Sequence, residues 1–265
     1  MAEENGKVKI VIDGKEVTCP RGAMLLHVAR KAGIEIPTLC SHPAVAEYGA
    51  CRICVVEVID RRGRSRVTAS CTYPVRDRIE VKTNSERVLR ARRINLELLL
   101  ARCPNNEKLR EFARRLGVEG TRFKTQEEPT DCILCGLCVR VCSEVVGANA
   151  IGFHGRGSYR GVGSPFLKDV GLCTGCGACA AVCPTGAIRI EDQDGVRYVR
   201  LWNTRVELAR CPGCGRYFAP DRLLRQVQER VQAVDKALLE LCPECRPRAY
   251  ARRLLVGKGT LKGET

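Results

Sequence analysis

The residues of this sequence best suited to chemistry are its 18 cysteines, most of which fall in regularly spaced groups. Two groups repeat the pattern C-x2-C-x2-C-x3-C, first as DCILCGLCVRVC and then as GLCTGCGACAAVC. In this spacing three thiolates surround one cubane cluster and the fourth reaches the neighbouring cluster. The repeat therefore predicts two [4Fe-4S] clusters. A pair of zinc sites or a disulfide framework would not explain a repeated run of four cysteines.

Crossed ligation assigns one cysteine of each run to the cluster of the other run. The first cluster is predicted to take Cys132, Cys135, Cys138 and Cys183, and the second Cys142, Cys173, Cys176 and Cys179. Small residues between the ligands, such as Gly136 and Gly175, let the backbone fold tightly around each cluster. Pro184 follows the last cysteine, whereas Ser143 stands where the first run would have its proline. The stretch from Cys132 to Pro184 resembles a bacterial two-cluster ferredoxin domain.

A second cysteine set lies nearer the N-terminus, with the spacing C-x10-C-x2-C-x16-C. Its members are Cys40, Cys51, Cys54 and Cys71. The surrounding sequence predicts a hairpin over residues 7–19, a helix over 22–33, and strands at 53–59, 66–69 and 78–81. This small mixed sheet with a helix across it is the layout of a plant-type [2Fe-2S] ferredoxin, whose last ligand comes from far along the chain. A zinc site is the alternative for the same four cysteines.

Ten residues separate Cys40 from Cys51, with PTLC ending at the first cysteine and GACRICVVEV containing the second. This gap distinguishes the domain from other plant-type [2Fe-2S] domains. It resembles the N-terminal domain of the large iron–sulfur subunit of NADH dehydrogenase (complex I). Related subunits of NAD(P)-linked hydrogenases and formate dehydrogenases share this domain, and the resemblance covers about residues 7–200. The family also has a cluster held by one histidine and three cysteines after a sequence like LLL..HP. Here Cys103 takes the place of the histidine and no set of three cysteines follows in the connector, so we expect that cluster to be absent. Cys103 and Cys19 are interpreted as ordinary thiols.

The C-terminal part contains two further pairs, Cys211-x2-Cys214 and Cys242-x2-Cys245. A basic amphipathic helix is predicted over residues 221–241, between the pairs. This pattern is typical of a zinc finger that acts as a structural staple. Some iron–sulfur subunits of hydrogenase complexes have a similar tail, so a further iron–sulfur cluster stays open, although zinc is favoured.

We therefore expect an α+β fold made of small modules. They are a β-grasp [2Fe-2S] ferredoxin domain (1–84), a helical connector (85–128), a two-[4Fe-4S] ferredoxin domain (129–200) and a zinc-finger-like module (201–265). The connector should contain helices over residues 85–101 and 106–116. The glycine-rich stretch over residues 150–166 does not match a nucleotide-binding loop and is predicted to be a hairpin.

The formal net charge of +15 counts every thiol as neutral. Four thiolate sites of about −2 each would lower it to roughly +7. The remaining basic runs, at residues 61–66, 87–93 and 110–115, are either solvated faces or surfaces that dock acidic partner subunits. The sequence shows no apolar leader and no stretch long enough to span a membrane, which predicts a cytoplasmic protein. In that reducing compartment clustered cysteines bind metals.

No dinucleotide fingerprint, flavin-sized segment or nucleophilic triad is present, so no catalytic residue is expected. The resemblance implies a non-catalytic electron-transfer subunit of a multi-subunit oxidoreductase, part of a hetero-oligomer. It would relay single electrons between an NAD(P)H-handling flavoprotein and a second redox partner. That partner could be a hydrogenase, formate dehydrogenase, tungsten or molybdenum enzyme, or ferredoxin-linked transhydrogenase. Low-potential cubanes would suit ferredoxin-level electrons, which leaves an electron-bifurcating complex and a soluble ferredoxin partner open.

Two other functions are compatible with parts of the cysteine pattern. The iron–sulfur subunit of succinate dehydrogenase or fumarate reductase also joins a plant-type domain to a two-run domain. Its first two ligands lie closer together, however, and it lacks the four-cysteine tail. A redox-sensing DNA-binding protein would use the tail and its basic helix to read DNA. No recognisable reading helix or base-contact motif is present, so nucleic acid is not expected as a partner.

Overall fold

The N-terminal part of the chain is a five-stranded sheet with one helix across it. The computed structural model describes residues 6–168, 171–231 and 235–257. This part contains β1 (Lys7–Ile12), β2 (Lys15–Pro20), α1 (Leu25–Lys31), β3 (Val55–Ile59), β4 (Ser65–Ala69) and β5 (Glu80–Lys82). The strand order is β2-β1-β5-β3-β4, in which β1 and β5 are parallel and the other pairs antiparallel. Alternation along β1 buries Ile10 and Ile12 against the apolar face of α1, as the sequence predicts.

Two helices form the connector, α2 (Glu86–Arg102) and α3 (Glu107–Arg115). Each helix follows a capping residue: the side chain of Ser85 accepts a hydrogen bond from the Val88 amide, and that of Asn106 accepts one from the Leu109 amide. Arg92 fixes α2 to the sheet. Its guanidinium is buried and donates to the carbonyl oxygens of Ile53, Val55 and Thr83 at 3.1–3.2 Å.

The next part has little regular structure, because most of its backbone forms the loops that carry cysteines. It contains α4 (Leu137–Arg140), which continues into a π-helical turn over residues 141–146, and α5 (Ala178–Ala181). Between them lies the predicted hairpin, formed by β6 (Gly152–His154) and β7 (Gly161–Gly163). His154 is exposed at the end of β6.

The C-terminal part opens with a four-stranded antiparallel sheet that the sequence did not predict. Its strands are β8 (Ile190–Gln193), β9 (Val196–Val199), β10 (Thr204–Arg210) and β11 (Tyr217–Pro220), in the order β11-β10-β9-β8. Because β9 pairs with β10, the sheet continues across residue 200, where the sequence places a module boundary. The division into four modules stays a prediction.

Three helices follow, α6 (Asp221–Arg230), α7 (Lys236–Leu239) and α8 (Cys245–Gly257). The prediction of a single helix over residues 221–241 is therefore wrong. Val231 has extended backbone angles, and Asp235 caps a new helix by accepting a hydrogen bond from the Ala237 amide at 2.9 Å. Within the described ranges, no helix is both long enough and apolar enough to cross a membrane.

The buried guanidinium of Arg92 should be important for the stability of the N-terminal sheet. Replacing Arg92 with Met leaves three buried carbonyls without their donor, so we expect the free energy of unfolding to fall by about 3 kcal/mol. Urea unfolding followed by circular dichroism measures this change. The matched control is Arg93→Met at an exposed position of the same helix, which should change stability by less than about 0.5 kcal/mol. Equal effects of the two substitutions would contradict the role of Arg92.

Candidate metal centres

The N-terminal cysteine set comes together in a loop and a turn that flank β3 and β4. Cys40, Cys51 and Cys54 lie in the long segment between α1 and β3, and Cys71 lies in a 3-10 turn after β4. All four side chains are buried. The Cys51 amide donates to the Cys40 sulfur at 3.4 Å, which orients that sulfur toward the interior of the set.

Within this set, the largest effect on the pKa of each thiol comes from one neighbouring thiol of the same set. The pKa of Cys40 is lowered to about 6, first by the thiol of Cys51, and that of Cys54 to about 6, first by the thiol of Cys71. The pKa of the partner thiol is raised in each pair. The Cys40 charge also raises the pKa of Cys71, so the two pairs lie close together. Four buried cysteines whose charges act on one another would repel as thiolates and are suited to hold a cationic group.

The loop that contains this set is fixed to the neighbouring run of cysteines by two charged side chains. Arg140, between Cys138 and Cys142 in the chain, donates to the Cys40 carbonyl at 2.9 Å and to the Ala46 carbonyl. Glu144 accepts from the Ala46 amide at 2.7 Å. The contact is extended by the rings of Tyr48 and Phe153, which stack with centroids 6.1 Å apart.

The first predicted [4Fe-4S] set takes its fourth cysteine from the second run. Burial raises the pKa of Cys135 to about 12, and the next charges that raise it belong to Cys183 and then Cys132. Burial also raises the pKa of Cys138, which the charges of Cys135, Cys132, Cys179 and Cys183 raise further. Burial raises the pKa of Cys132 as well, and the charge of Cys183 raises it further. The structure thus brings Cys183 to the first three cysteines of the first run.

The helical connector holds this set in place. Arg102, the last residue of α2, donates to the Cys132 carbonyl at 2.8 Å. Asn106, which caps α3, also donates to the Thr185 carbonyl at 3.0 Å and to Asp131 at 2.9 Å. Asn106 therefore forms hydrogen bonds on both sides of the set, to Asp131 directly before Cys132 and to Thr185 two residues after Cys183.

The second predicted [4Fe-4S] set lines a single apolar pocket together with the turn after β9. The four sulfur-bearing residues that line the pocket are Cys142, Cys173, Cys176 and Cys179. Val199 and Trp202 line it from the C-terminal sheet. Burial raises the pKa of Cys179 to about 12, with further increases from Cys176, Cys173 and Cys142. Cys142 of the first run therefore lies with the last three cysteines of the second set.

Two observations fit an anionic cluster in this pocket. The hydroxyl of Thr174 and the indole nitrogen of Trp202 are buried and have no hydrogen-bond partner among the described residues, and both residues line the pocket. Cluster sulfur atoms are acceptors that could satisfy both groups. In addition, Arg197 donates to the Gly175 carbonyl at 3.0 Å and Arg222 to the Cys173 carbonyl at 3.3 Å. Their positive charges lie beside the loop that would surround the cluster.

The C-terminal part packs directly on that loop. Gly175 has a φ of +69°, and a Cβ there would lie 3.2 Å from Pro220 and from Val206. Only glycine allows both this backbone conformation and this close approach. Arg230 of α6 also donates to the Val146 carbonyl at 3.0 Å, which ties α6 to the turn beside Cys142.

The last four cysteines form a much tighter set. The sulfur atoms of Cys211, Cys214, Cys242 and Cys245 all lie within 4.8 Å of one another. The Cys214 and Cys242 sulfurs are 3.7 Å apart. The Cys242 amide donates to the Cys211 sulfur at 3.3 Å and is the leading cause of its lowered pKa, about 6. Arg216 donates to the Cys214 sulfur at 3.5 Å and lowers the pKa of that thiol.

The two remaining cysteines belong to none of the predicted sets, although Cys103 packs in the same apolar cluster as Cys40, Cys51 and Cys135. Cys19 is buried in the N-terminal core, and its thiol donates to the Val8 carbonyl at 3.7 Å. Cys103 is fully buried at the end of α2, where burial raises its pKa to about 12. Their burial agrees with the interpretation as ordinary thiols.

Comparison with known proteins agrees with the two cysteine patterns. The family described as "2Fe-2S iron-sulfur cluster binding domain" matches residues 5–86. The family described as "4Fe-4S dicluster domain" matches residues 131–187 and again 172–216. One chain of a crystal structure of NAD+-reducing [NiFe]-hydrogenase in the H2-reduced state is 32% identical. The similarity covers 68% of this chain and 85% of that chain, with a TM-score of 0.58.

The chain belongs to the iron–sulfur subunit family of NAD(P)-linked hydrogenases and NADH dehydrogenases. The NADP-reducing hydrogenase subunit HndD of Solidesulfovibrio fructosivorans is 35% identical over 68% of this chain and 35% of that protein. The mitochondrial NADH-ubiquinone oxidoreductase 78 kDa subunit of Neurospora crassa is 32% identical over 71% of this chain and 28% of that protein. The chain thus spans about a third of these curated relatives, and its resemblance to their family is confirmed.

Several residues around the cysteine sets of this family member were not found from the sequence. They are Arg140, Glu144, Thr174, Arg197, Trp202 and Arg222. Arg140 had a local signal, because an arginine between two cysteine ligands is placed to interact with cluster charge. The contacts of Arg197, Trp202 and Arg222 depend on how the C-terminal sheet folds back and have no local signal.

Crossed ligation leads to opposite expectations for two single substitutions. Cys142→Ser should remove the second cubane, and Cys183→Ser the first, each with a loss of about four iron atoms per chain. Iron analysis and low-temperature EPR of anaerobically purified protein measure both effects. The matched control, Cys19→Ser, lies outside every set and should retain all iron. If Cys142→Ser disturbed only the first cubane, the crossed assignment would be wrong.

Proposed function

We propose that this protein is an electron-transfer subunit of a multi-subunit oxidoreductase in the cytoplasm. It relays single electrons between a flavoprotein that handles NADH or NADPH and a second redox partner. Its relatives are named as subunits of an NADP-reducing hydrogenase and of an NADH-ubiquinone oxidoreductase, which supports membership of a hetero-oligomer. The second partner is a hydrogenase or another oxidoreductase subunit with its own catalytic centre.

The observation that best supports this proposal is the order of the three cysteine sets. Cys40 of the N-terminal set lies close enough to Cys135 for its charge to raise the pKa of that thiol. Likewise, the charge of Cys179 in the second cubane set raises the pKa of Cys138 in the first. Cys135 also packs in one apolar cluster with Cys40 and Cys51 of the N-terminal set. We therefore propose that the first cubane set lies between the other two. This order suits one-electron transfer from one end of the chain to the other.

The proposed resident groups are one [2Fe-2S] cluster and two [4Fe-4S] clusters, which exchange single electrons at potentials set by charge, burial and hydrogen bonding. The [2Fe-2S] ligands are Cys40, Cys51, Cys54 and Cys71. A two-iron cluster takes two thiolates on each iron, which fits the pairs Cys40 with Cys51 and Cys54 with Cys71. The two cubanes have the crossed ligand sets given above. The protein holds these ligands in place through Arg102, Asn106 and Arg140.

For the C-terminal set, Cys211, Cys214, Cys242 and Cys245, we propose one zinc ion in a zinc-finger-like module. A tetrahedral ion with Zn–S bonds of about 2.3 Å requires sulfurs about 3.8 Å apart. The observed spacing, 3.7 Å for one pair and within 4.8 Å for all, is close to this value. Thiolates around a cluster are divided among several irons and lie further apart. The spacing therefore favours a single ion, whose role is to fix the end of β10 to the start of α8.

Metal analysis tests the zinc proposal directly. Purified protein should contain about one zinc and about ten iron atoms per chain. Cys214→Ser changes the most exposed of the four ligands and should lower zinc while iron is retained. Cys19→Ser should keep both metals. A wild-type protein with no zinc and more iron would show that this site holds iron instead.

The relay itself is tested by reduction of the purified chain. The tagged protein is isolated anaerobically from its native host, and co-purifying subunits are identified by mass spectrometry. We expect a flavin-binding subunit in the complex, and we expect NADH or NADPH to bleach the cluster absorbance only when that subunit is present. The proposal would be contradicted if the chain purified alone with intact clusters and if flavoproteins from the same host, supplied with NADH or NADPH, did not reduce it.

A further inference from the structure

The pocket that contains the second cubane set also contains a buried donor that no group of the described residues satisfies. Trp202 is 4% exposed, and its indole nitrogen has no hydrogen-bond partner among the described residues. An indole N–H can only donate, so it requires an acceptor. A buried donor without one destabilises the fold, and such groups are rare in native proteins.

The surroundings of this pocket limit what the acceptor can be. Besides the four cysteines, its lining is mostly apolar, with Val146, Ala150, Ile151 and Val199 among the contributors. The other polar side chain in the lining is Thr174, whose hydroxyl is also buried and without a partner. The sulfur atoms associated with the cysteine set are therefore the acceptors that both groups share.

The position of Trp202 is fixed by the backbone around it. It ends a 3-10 turn over residues 200–202 that directly follows β9, and Asn203 then adopts a left-handed conformation with a φ of 49°. The hydroxyl of Thr204 donates to the Trp202 carbonyl at 3.5 Å. The ring packs in one apolar cluster with Cys138, Ile188 and Val199. The turn and the packing together hold the indole beside the pocket.

We propose that the indole of Trp202 and the hydroxyl of Thr174 donate hydrogen bonds to sulfur atoms of the cluster held by Cys142, Cys173, Cys176 and Cys179. This inference rests on the ligand assignment of the proposed function. Hydrogen bonds to sulfur stabilise the additional negative charge of the reduced state, so the two residues raise the reduction potential of this cluster. The two hydrogen bonds therefore favour an electron on this cluster relative to the same cluster without them.

The single tryptophan of the chain allows a specific test. Protein labelled with ¹⁵N only in the indole is reduced, and pulsed EPR is used to look for a ¹⁵N coupling to the cubane spin. We expect a coupling to the second cubane. Cys142→Ser, which should lack that cubane, should lose the coupling. Absence of the coupling in the wild-type protein with both cubanes assembled and reduced would overturn the proposal for Trp202.

Redox titration gives the second measurement. Trp202→Phe retains an aromatic ring without the N–H, and Thr174→Val retains the shape of the side chain without the hydroxyl. Each should lower the midpoint potential of the second cubane and leave those of the other two clusters unchanged. The matched control is Ser164→Ala, because Ser164 also has a buried hydroxyl without a partner but does not line this pocket. It should change no potential.

The outcomes separate this inference from the proposed function. If Trp202→Phe and Thr174→Val leave the second potential unchanged, or shift it no more than Ser164→Ala does, the inference is wrong even where NAD(P)H still reduces the chain. If either variant fails to assemble the cluster, the ¹⁵N coupling in the unsubstituted protein still tests whether Trp202 donates to it. If the flavoprotein does not reduce the wild-type chain, the relay is contradicted, whereas the proposed hydrogen bonds to the second cubane are unaffected by that result.

Discussion

Thiolates buried close to one another are unstable unless a cationic group neutralises them, and the cysteine sets of this protein depend on that constraint. Burial is the leading cause of the raised pKa of Cys135, Cys138 and Cys179. Without metal these thiols would hold their protons. Metal binding therefore replaces protons inside the fold, and the free energy of cluster binding becomes part of the free energy of folding. This explains how modules with few aromatic residues, 5% of the chain, can be stable.

The protein supplies the remaining stabilisation through donors that surround each set. Main-chain amides donate to the sulfurs of Cys40 and Cys211. Arginine side chains instead donate to the carbonyls of ligand residues, as Arg140 does to Cys40 and Arg102 to Cys132. These arginines bring positive charge close to anionic clusters and at the same time fix one loop to the next. Part of the formal excess of basic residues thus has a local structural role, which weakens any argument from net charge to nucleic acid.

The sequence predicted those features that depend on local patterns. The cysteine spacing, the two connector helices and the hairpin within residues 150–166 all follow from neighbouring residues. Long-range contacts had no such signal, and the bond from Arg140 to Cys40 joins residues a hundred positions apart. The C-terminal sheet was missed because two of its strands, IEDQ and VRYV, have only four residues each, too few for a clear alternating pattern. The amphipathic pattern over residues 221–241 continues through Val231 and gave no sign that the helix ends there.

The order of the three cysteine sets is the central claim, and magnetic interaction between the reduced clusters tests it most directly. EPR relaxation of the [2Fe-2S] signal is measured while the two cubanes are reduced in turn, in wild-type protein and in Cys183→Ser. The account predicts that relaxation is enhanced when the first cubane becomes paramagnetic and that this enhancement is lost in Cys183→Ser. An enhancement that follows only the second cubane, or that persists unchanged in Cys183→Ser, would contradict the proposed order.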